Sequence, residues 1–389
     1  MSIAVAVAIA VSVIWLYLLL GRGHFWRAAQ RDEPQPSGIL SSEWPDVVAV
    51  VPARKETNII GSTVASLAAQ DYPGSFTTII VDDESRDGTA AEAAAAARVA
   101  GAENRFAVVH GRPSPPGWTG KLWAVRQGIA AAREHSSRLR YLWLCDADIR
   151  FAPDMLTSLV RRADAGGFVL VSLMAKLRCS SFAERCLVPA FIFFFQMLYP
   201  FAWVNRPERS TAAAAGGCML VRCDALAESG DIDAIRGALI DDCALAARLK
   251  SKGAVWLGLT ERALSVRPYE HLDDIRRMVA RSAYAQLHYS PLLLGATVAG
   301  MILVFVAPPL LAIFASGLAR WLGAADWAAM AGAYLPILRF YRVPAAWSAA
   351  LPAIAAMYLA FTLDSAYQHA RGRGGLWKGR AQAISSRGK

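Results

Sequence analysis

Asp146 and Asp148 follow an apolar run, 141–145, that is long enough for a buried strand and short for a helix. Acids just beyond the carboxyl end of a strand in an open α/β sheet stand where ligands bind. Two carboxylates spaced i, i+2 suit a hard divalent cation, Mg2+ or Mn2+, which takes oxygen ligands and shares them with substrate phosphates. The plain alternative is a surface turn in which Asp148 or Asp154 caps a helix opening near Pro153. An Asp-x-Asp pair alone does not decide between the two.

Five other clusters carry similar pairs of readings. Pro52-Ala53-Arg54-Lys55-Glu56 ends a β-branched run at 47–51. Helix-start amides there, with Arg54, suit a base and a phosphate, and a bare proline turn is the rival. Asp82-Asp83 ends a second run at 79–81. A carboxylate in that place accepts hydrogen bonds from a nucleobase or from ribose hydroxyls, unless Asp83 or Ser85 only caps the next helix. Pro115-Pro116-Gly117-Trp118-Thr119-Gly120-Lys121 is a stiff turn that delivers Trp118 and Lys121 toward a diphosphate or an acceptor. Gly216-Gly217 either lets backbone approach a sugar or packs closely. Asp241-Asp242 precede a helix running to Lys250, where the helix dipole favours acids in any case. Arg281, just ahead of a membrane-length apolar segment, suits either a leaving diphosphate or a lipid phosphate. Neither Gly-x-Gly-x-x-Gly nor a Walker lysine motif is present, which disfavours the common dinucleotide and P-loop folds.

Strands at 47–51, 79–81, 106–109 and 141–145 alternate with helices at 58–70, 89–100 and 121–134. That alternation predicts a parallel, doubly wound sheet with a nucleotide-sized crevice at its strand ends. Around it, 55% hydrophobic and only 19% charged residues in a 389-residue chain exceed what a wholly soluble protein carries. Residues 2–20 form an uncharged run of spanning length, followed but not preceded by arginines (Arg22, Arg27, Arg31). No signal-peptide pattern is evident, and the positive-inside rule puts the chain after Gly21 in the cytoplasm.

Residues 291–315, kinked or broken at Pro308-Pro309, and 347–363 are two further spans. The tail, with Arg371, Arg373, Lys378, Arg380, Arg387 and Lys389, is expected inside. The Phe-rich stretch 186–203, weakened by Pro189, Pro200 and Gln196, fits an interfacial or re-entrant segment, and 327–338 is too short to span comfortably. The expected layout is an anchor at 1–21, a linker at 22–46, a cytoplasmic catalytic domain at 47–287, a membrane region at 288–368 and a basic tail at 369–389. Six cysteines without a Cys-x-x-Cys pair indicate reduced structural thiols rather than zinc or redox chemistry. The net charge of +10, without aromatic-interleaved basic motifs, indicates a basic membrane face and no nucleic acid partner.

Read in order, Pro-Ala-Arg, Asp-Asp, Gly-Lys, Asp-Ala-Asp, Gly-Gly, Asp-Asp and a basic residue at the membrane resemble the inverting glycosyltransferase family 2 over about residues 47–282. Within it the chain is most similar to the hopanoid-biosynthesis-associated (hopene-associated) membrane glycosyltransferases. Three stretches carry that likeness: Gly117-Trp118-Thr119-Gly120-Lys121-Leu122-Trp123-Ala124, Phe193-Phe194-Phe195-Gln196-Met197-Leu198-Tyr199-Pro200, and residues 237–245. Bacterial ceramide-glucosyltransferase-like enzymes are next.

The resemblance implies an α/β fold, a nucleotide-sugar-binding doubly wound sheet (GT-A type) with N-terminal and C-terminal transmembrane helices. It implies that Ala53, Glu56 and Asp82 line the nucleotide pocket, that Asp146 and Asp148 hold Mg2+ or Mn2+, and that Asp242 is the catalytic base. Asp241 takes a place commonly held by Glu. With the residues read above, the expected nucleotide-sugar contacts are Pro52, Ala53, Arg54, Glu56, Asp82, Asp83, Lys121, Asp146 and Arg281. Met278-Val279-Ala280-Arg281-Ser282 keeps only the arginine of the family's Gln-x-x-Arg-Trp motif, which speaks against processive polymer synthesis. The expectation is a multi-pass inner-membrane enzyme that moves a sugar from a donor, UDP-linked in most of the family, to a lipid, a hopanoid by this likeness. The rivals are a nucleotidyltransferase, whose glycine-rich first loop is missing, and a non-catalytic membrane scaffold or transporter component, opposed by few spans and no intramembrane acid pair.

Overall fold

The computed structural model describes residues 2–33, 43–374, 376–377 and 380–381. Parts of the expected linker (34–42) and of the basic tail (375, 378–379 and 382–389) lie outside them. The chain divides into a sheet unit, Gln30–Leu177, Trp203–Arg267 and Leu376–Lys389, and a helical unit, Met1–Ala29, Arg178–Ala202 and Pro268–Gly375.

In the sheet unit the apolar runs form β1 (Asp46–Ala53), β2 (Phe76–Asp82), β3 (Phe106–His110) and β4 (Leu139–Cys145), each slightly longer than its sequence signal. Helices Ile60–Ala68, Thr89–Val99 and Gly120–His135 connect them. These four strands are parallel, as the alternation requires. Beyond them the sheet is mixed, which corrects the parallel expectation. Strands β5 (Ile149–Phe151), β6 (Leu170–Lys176), β7 (Cys218–Arg222) and β8 (Val255–Ser265) complete the order β3-β2-β1-β4-β7-β6-β8-β5. Here β7 runs antiparallel to both β4 and β6, and β5 antiparallel to β8. Parallel neighbours need a crossover within the sheet. The chain between β6 and β7 instead leaves for the helical unit and re-enters at the strand end where Asp146 lies. The fully buried Trp143 packs its ring 4.6 Å from Phe151 and 6.0 Å from Phe76, and its indole N–H donates to Cys218 Sγ at 3.4 Å.

Among the described residues, four stretches are long and apolar enough to cross a membrane: Ile3–Gly21, Phe182–Val204, Pro291–Phe314 and Ala345–Ala370. The second differs from the others in being 61% buried, against 11% for Pro291–Phe314. Its phenylalanines explain the difference. Phe193 packs on Phe25 and Tyr334, and Phe194 on Phe305 and Tyr358, at ring separations of 5.0–5.4 Å. The helix Phe182–Leu198 opens on a capping box between Ser181 and Glu184. It closes under Arg22, whose Nε and Nη2 donate to the Met197 and Leu198 carbonyls at 3.1 Å. The stretch 327–338 lies inside one 25-residue helix, Gly317–Tyr341, whose Asp326 accepts a hydrogen bond from Ser12 Oγ at 2.9 Å.

Pro308 and Pro309 do not break their helix. The disturbance lies one turn earlier, in the π-helical turn Ile302–Val306, where the Ala307 amide reaches back to the Ile302 carbonyl. Neither proline has an N–H for the Val304 carbonyl. Trp15 Nε1 donates to it instead, at 2.9 Å. Trp15→Phe should therefore lower stability by about 1 kcal/mol, the usual net worth of one hydrogen bond, in a denaturant titration in detergent. In a Pro308→Ala background, where a backbone amide can serve Val304, the same substitution should cost clearly less.

Candidate functional site

Strand pairing decides which of the acids meet. Cys145 of β4 pairs with Cys218 of β7, so the turn holding Asp146 lies beside the loop holding Gly216. The helix Gly120–His135 starts at Thr119, whose Oγ1 accepts from the Leu122 amide at 3.3 Å, and Lys121 leaves its first turn. Lys121 Nζ stands 3.0 Å from Asp146 Oδ1 and 3.1 Å from Asp241 Oδ2. Asp241 and Asp242 open the helix Asp241–Lys250. Asp242 Oδ2 accepts from the Gly216 amide at 3.0 Å and Oδ1 from the Cys243 amide at 2.7 Å. A Cβ on Gly216 would fall 3.3 Å from Lys121 Nζ and 3.5 Å from Asp242 Oδ2, so the glycine lets the loop approach both. Pro52, Lys121, Asp146, Gly216 and Asp241 line one pocket.

Burial works against the charge of Lys121, but Asp146, Asp241 and Asp242 outweigh it and hold the ammonium protonated well above its usual range. Burial, and then the charge of Asp241, push Asp242 up to about 6; Lys121 and the two amides offset only part of this.

A second cation holds the other acids. The pairing of β5 with β8 sets Ile149 against Ser265, and the Val266 amide donates to the Asp148 carbonyl at 2.9 Å. Arg267 then donates from Nε to Asp148 Oδ2 at 2.7 Å and from Nη2 to Glu56 Oε1 at 2.6 Å. It thus joins the turn after β1 to the turn after β4. Burial raises the Asp148 carboxyl, Arg267 opposes that, and the charges of Asp146 and Glu56 add to it. Sequence reasoning passed over Arg267. The only signal was an arginine just past a long apolar strand, and nothing local says which turns that strand end will face.

The ends of β1 and β2 are knitted together. The Asp83 amide donates to the Ala53 carbonyl at 2.8 Å, and Arg54 Nη1 donates to the Asp83 carbonyl and lies 3.3 Å from Asp83 Oδ2. Gly88, not Asp83 or Ser85, occupies the N-cap of Thr89–Val99, and Asp87 accepts from Thr89 Oγ1 at 2.6 Å. The Glu56 and Thr57 amides, near the place expected to receive a phosphate, donate to Thr89 Oγ1 at 2.9 Å and Asp87 Oδ2 at 3.4 Å. Asp82 is buried, and its Oδ1 has no hydrogen-bond partner among the described residues. Trp118 packs 5.2 Å from Trp123, with the Arg126 guanidinium against both rings.

The fold therefore gathers Pro52, Lys121, Asp146 and Asp241 at one pocket, holds Asp242 beside it on the Gly216 amide, ties Glu56 to Asp148, and sets Ala53, Arg54, Asp82 and Asp83 at adjoining strand ends. Arg281 belongs to the helical unit, where it is the C-cap of helix Leu272–Ala280. Among the described residues no group of three or more His, Cys, Asp or Glu side chains gathers as a metal cage. Two carboxylates at a strand end fit Mg2+ or Mn2+ of the kind that completes its shell with substrate phosphate and water.

Residues 48–230 match the family model described as Glycosyl transferase family 2. A sequence comparison with curated proteins returns no match. Among solved structures the chain is similar to a mannosyltransferase from Pyrobaculum calidifontis in complex with GDP-Man and Mn2+. That likeness has 19% identity over 95% of this chain and 100% of the other, with a TM-score of 0.55. It identifies the fold as GT-A type. A glucosyl-3-phosphoglycerate synthase from Mycobacterium tuberculosis in complex with Mg2+ and UDP matches at 19% identity over 67% of this chain and 86% of the other, with a TM-score of 0.42.

The raised Asp242 carboxyl has a stability consequence. Its folded-state pKa of about 6 stands above the roughly 3.9 of an unfolded aspartate, so stability is lost as pH rises between the two values. Asp242→Asn cannot ionise. Relative to wild type, the variant should gain thermal stability steadily from about pH 4 to about pH 6 and hold a constant difference above that. Melting curves across that range read the effect.

Proposed function

We propose that the protein, whose residues 48–230 match the model of Glycosyl transferase family 2, is a glycosyltransferase that moves a sugar from a nucleotide-sugar donor to a lipid hydroxyl with inversion. The observation that carries this reading is the division of labour among the acids. Asp242, its carboxyl raised to about 6, adjoins Asp241, which shares the Lys121 ammonium with Asp146. Asp242 is the general base: it takes the proton of the acceptor hydroxyl as that oxygen attacks the anomeric carbon. The bond from that carbon to the diphosphate oxygen breaks, and the diphosphate leaves with the electron pair. Asp146 and Asp148 would hold Mg2+ or Mn2+, which would offset the negative charge of the leaving diphosphate. Ala53, Glu56 and the orphaned Oδ1 of Asp82 face the nucleoside, and Pro52, Arg54 and Asp83 fix the strand ends around it. Lys121 holds the pocket's acids together and is assigned to the diphosphate.

The GDP-Man and Mn2+ of the mannosyltransferase with this fold support the donor class and the metal; UDP is the nucleotide favoured by the family likeness. Four membrane-length helices support a lipid acceptor in the inner membrane, with the sheet unit and the basic tail cytoplasmic. The layout proposed is 1–21 anchor, 22–46 linker, 47–287 catalytic domain, 288–368 membrane region and 369–389 tail. A hopanoid is the acceptor the sequence likeness favours, and a ceramide-like lipid the alternative.

Asp242→Asn should lower single-turnover transfer in nanodiscs by roughly a hundredfold or more while leaving donor affinity nearly intact, and Asp241→Asn should cost less. Because a base works only when deprotonated, the wild-type rate should climb with pH through about 6 and then level. Transfer at the wild-type rate by Asp242→Asn would place the base elsewhere. Asp148→Asn keeps the shape and removes a charge, so turnover should collapse and metal dependence weaken. Chelator-resistant activity in wild type and variant alike would refute the metal assignment.

A further inference from the structure

Two acids of the candidate site are bound to one guanidinium, and no sequence motif assigns it a role. Arg267 grips Asp148 at 2.7 Å and Glu56 at 2.6 Å, with both carboxylates largely shielded, at 14% and 7% exposure. Lys121 does the corresponding work for Asp146 and Asp241 at 3.0 and 3.1 Å. Each member of the Asp146–Asp148 pair is therefore already paired with a cation of the protein itself, one that it shares with a second carboxylate.

We infer that Arg267 is a donor-binding residue that exchanges partners: it holds Asp148 until a metal–nucleoside diphosphate complex arrives, and then turns to a diphosphate oxygen. The physical argument is one of charge balance. A divalent cation entering alone must displace the half-buried Arg267 from Asp148, leaving two positive groups beside one another with only Glu56 still paired to the guanidinium. A cation arriving with a diphosphate brings a new anion for Arg267, and the planar guanidinium that matches a carboxylate also matches a phosphate. Glu56 keeps one edge of the guanidinium in place during the exchange, so the residue pivots on the turn after β1. The consequence is ordered binding: the free protein takes the metal poorly, and metal and nucleotide strengthen each other's binding.

The inference rests on reading Asp146 and Asp148 as the metal pair, and the test separates the two. Full-length wild type, Arg267→Met and Arg267→Lys in nanodiscs are titrated with Mn2+ alone, read by electron paramagnetic resonance of free Mn2+, and then with UDP or GDP at saturating Mn2+, read by calorimetry. Arg267→Met should bind Mn2+ alone more tightly than wild type and bind the Mn2+–nucleotide more weakly, each by roughly tenfold or more. Arg267→Lys keeps the charge but not the fork, so Mn2+ alone should bind as in wild type and the nucleotide at an intermediate affinity. If Arg267→Met loses affinity in both titrations, the arginine only positions the acids and the exchange is wrong. Unchanged affinity in both titrations, or tighter Mn2+ binding with unaltered nucleotide binding, also overturns it. If wild type binds neither Mn2+–UDP nor Mn2+–GDP, the metal-pair reading itself fails, whatever the variants do. Arg267→Lys guards the test against a folding defect in Arg267→Met.

Discussion

Lys121 places one ammonium group among Asp146, Asp241 and Asp242, and the candidate site depends on that balance. Three carboxylates gathered around one ammonium repel one another, and partial burial costs them hydration. A single central cation relieves the repulsion without abolishing it. That incomplete relief leaves the Asp242 carboxyl raised to about 6, as the acid–base role proposed for it requires. A stronger compensation would make Asp242 an ordinary ionised aspartate and a poor proton acceptor. A weaker one would keep it protonated.

Holding four charged side chains to such tolerance requires stiff supports, and the mixed sheet supplies them. The insertion of β7 between β4 and β6 brings residues 205–217 to the strand end that bears Asp146. That loop is fastened to the helix Asp241–Lys250 at both ends. Near the pocket the Gly216 amide donates to Asp242. At the far end Lys250 Nζ donates to the Val204 and Thr211 carbonyls at 2.7 Å and to the Trp203 carbonyl at 3.3 Å. The two tethers fix the helix start against the loop, and so fix where the Asp242 carboxylate points.

In the helical unit, polar groups follow the rule that buried backbone must be satisfied even where proline removes a donor. Trp15 serves the Val304 carbonyl left over by Pro308 and Pro309, and Arg22 serves the last carbonyls of Phe182–Leu198. The phenylalanines of that helix spend their area on Phe25, Phe305, Tyr334 and Tyr358, which makes it the aromatic centre of the unit.

The amino-acid sequence by itself determined the local features. Apolar runs of strand length ending in acids, the alternation with helices, and uncharged stretches of spanning length all depend on neighbours a few residues apart. Those parts of the fold are legible because burial and period are local properties. The order of the acidic clusters carries the resemblance to glycosyltransferase family 2, whose model matches residues 48–230. What tertiary structure decided is every contact across the sheet. No local rule shows that β7 enters antiparallel, that Asp241 and Asp146 share Lys121, or that an arginine past β8 reaches both Asp148 and Glu56. Nor could spacing tell that the Phe-rich helix would be the most buried of four similar in composition. Such pairings join residues scores of positions apart, and they are fixed only when strand order and register bring their ends together.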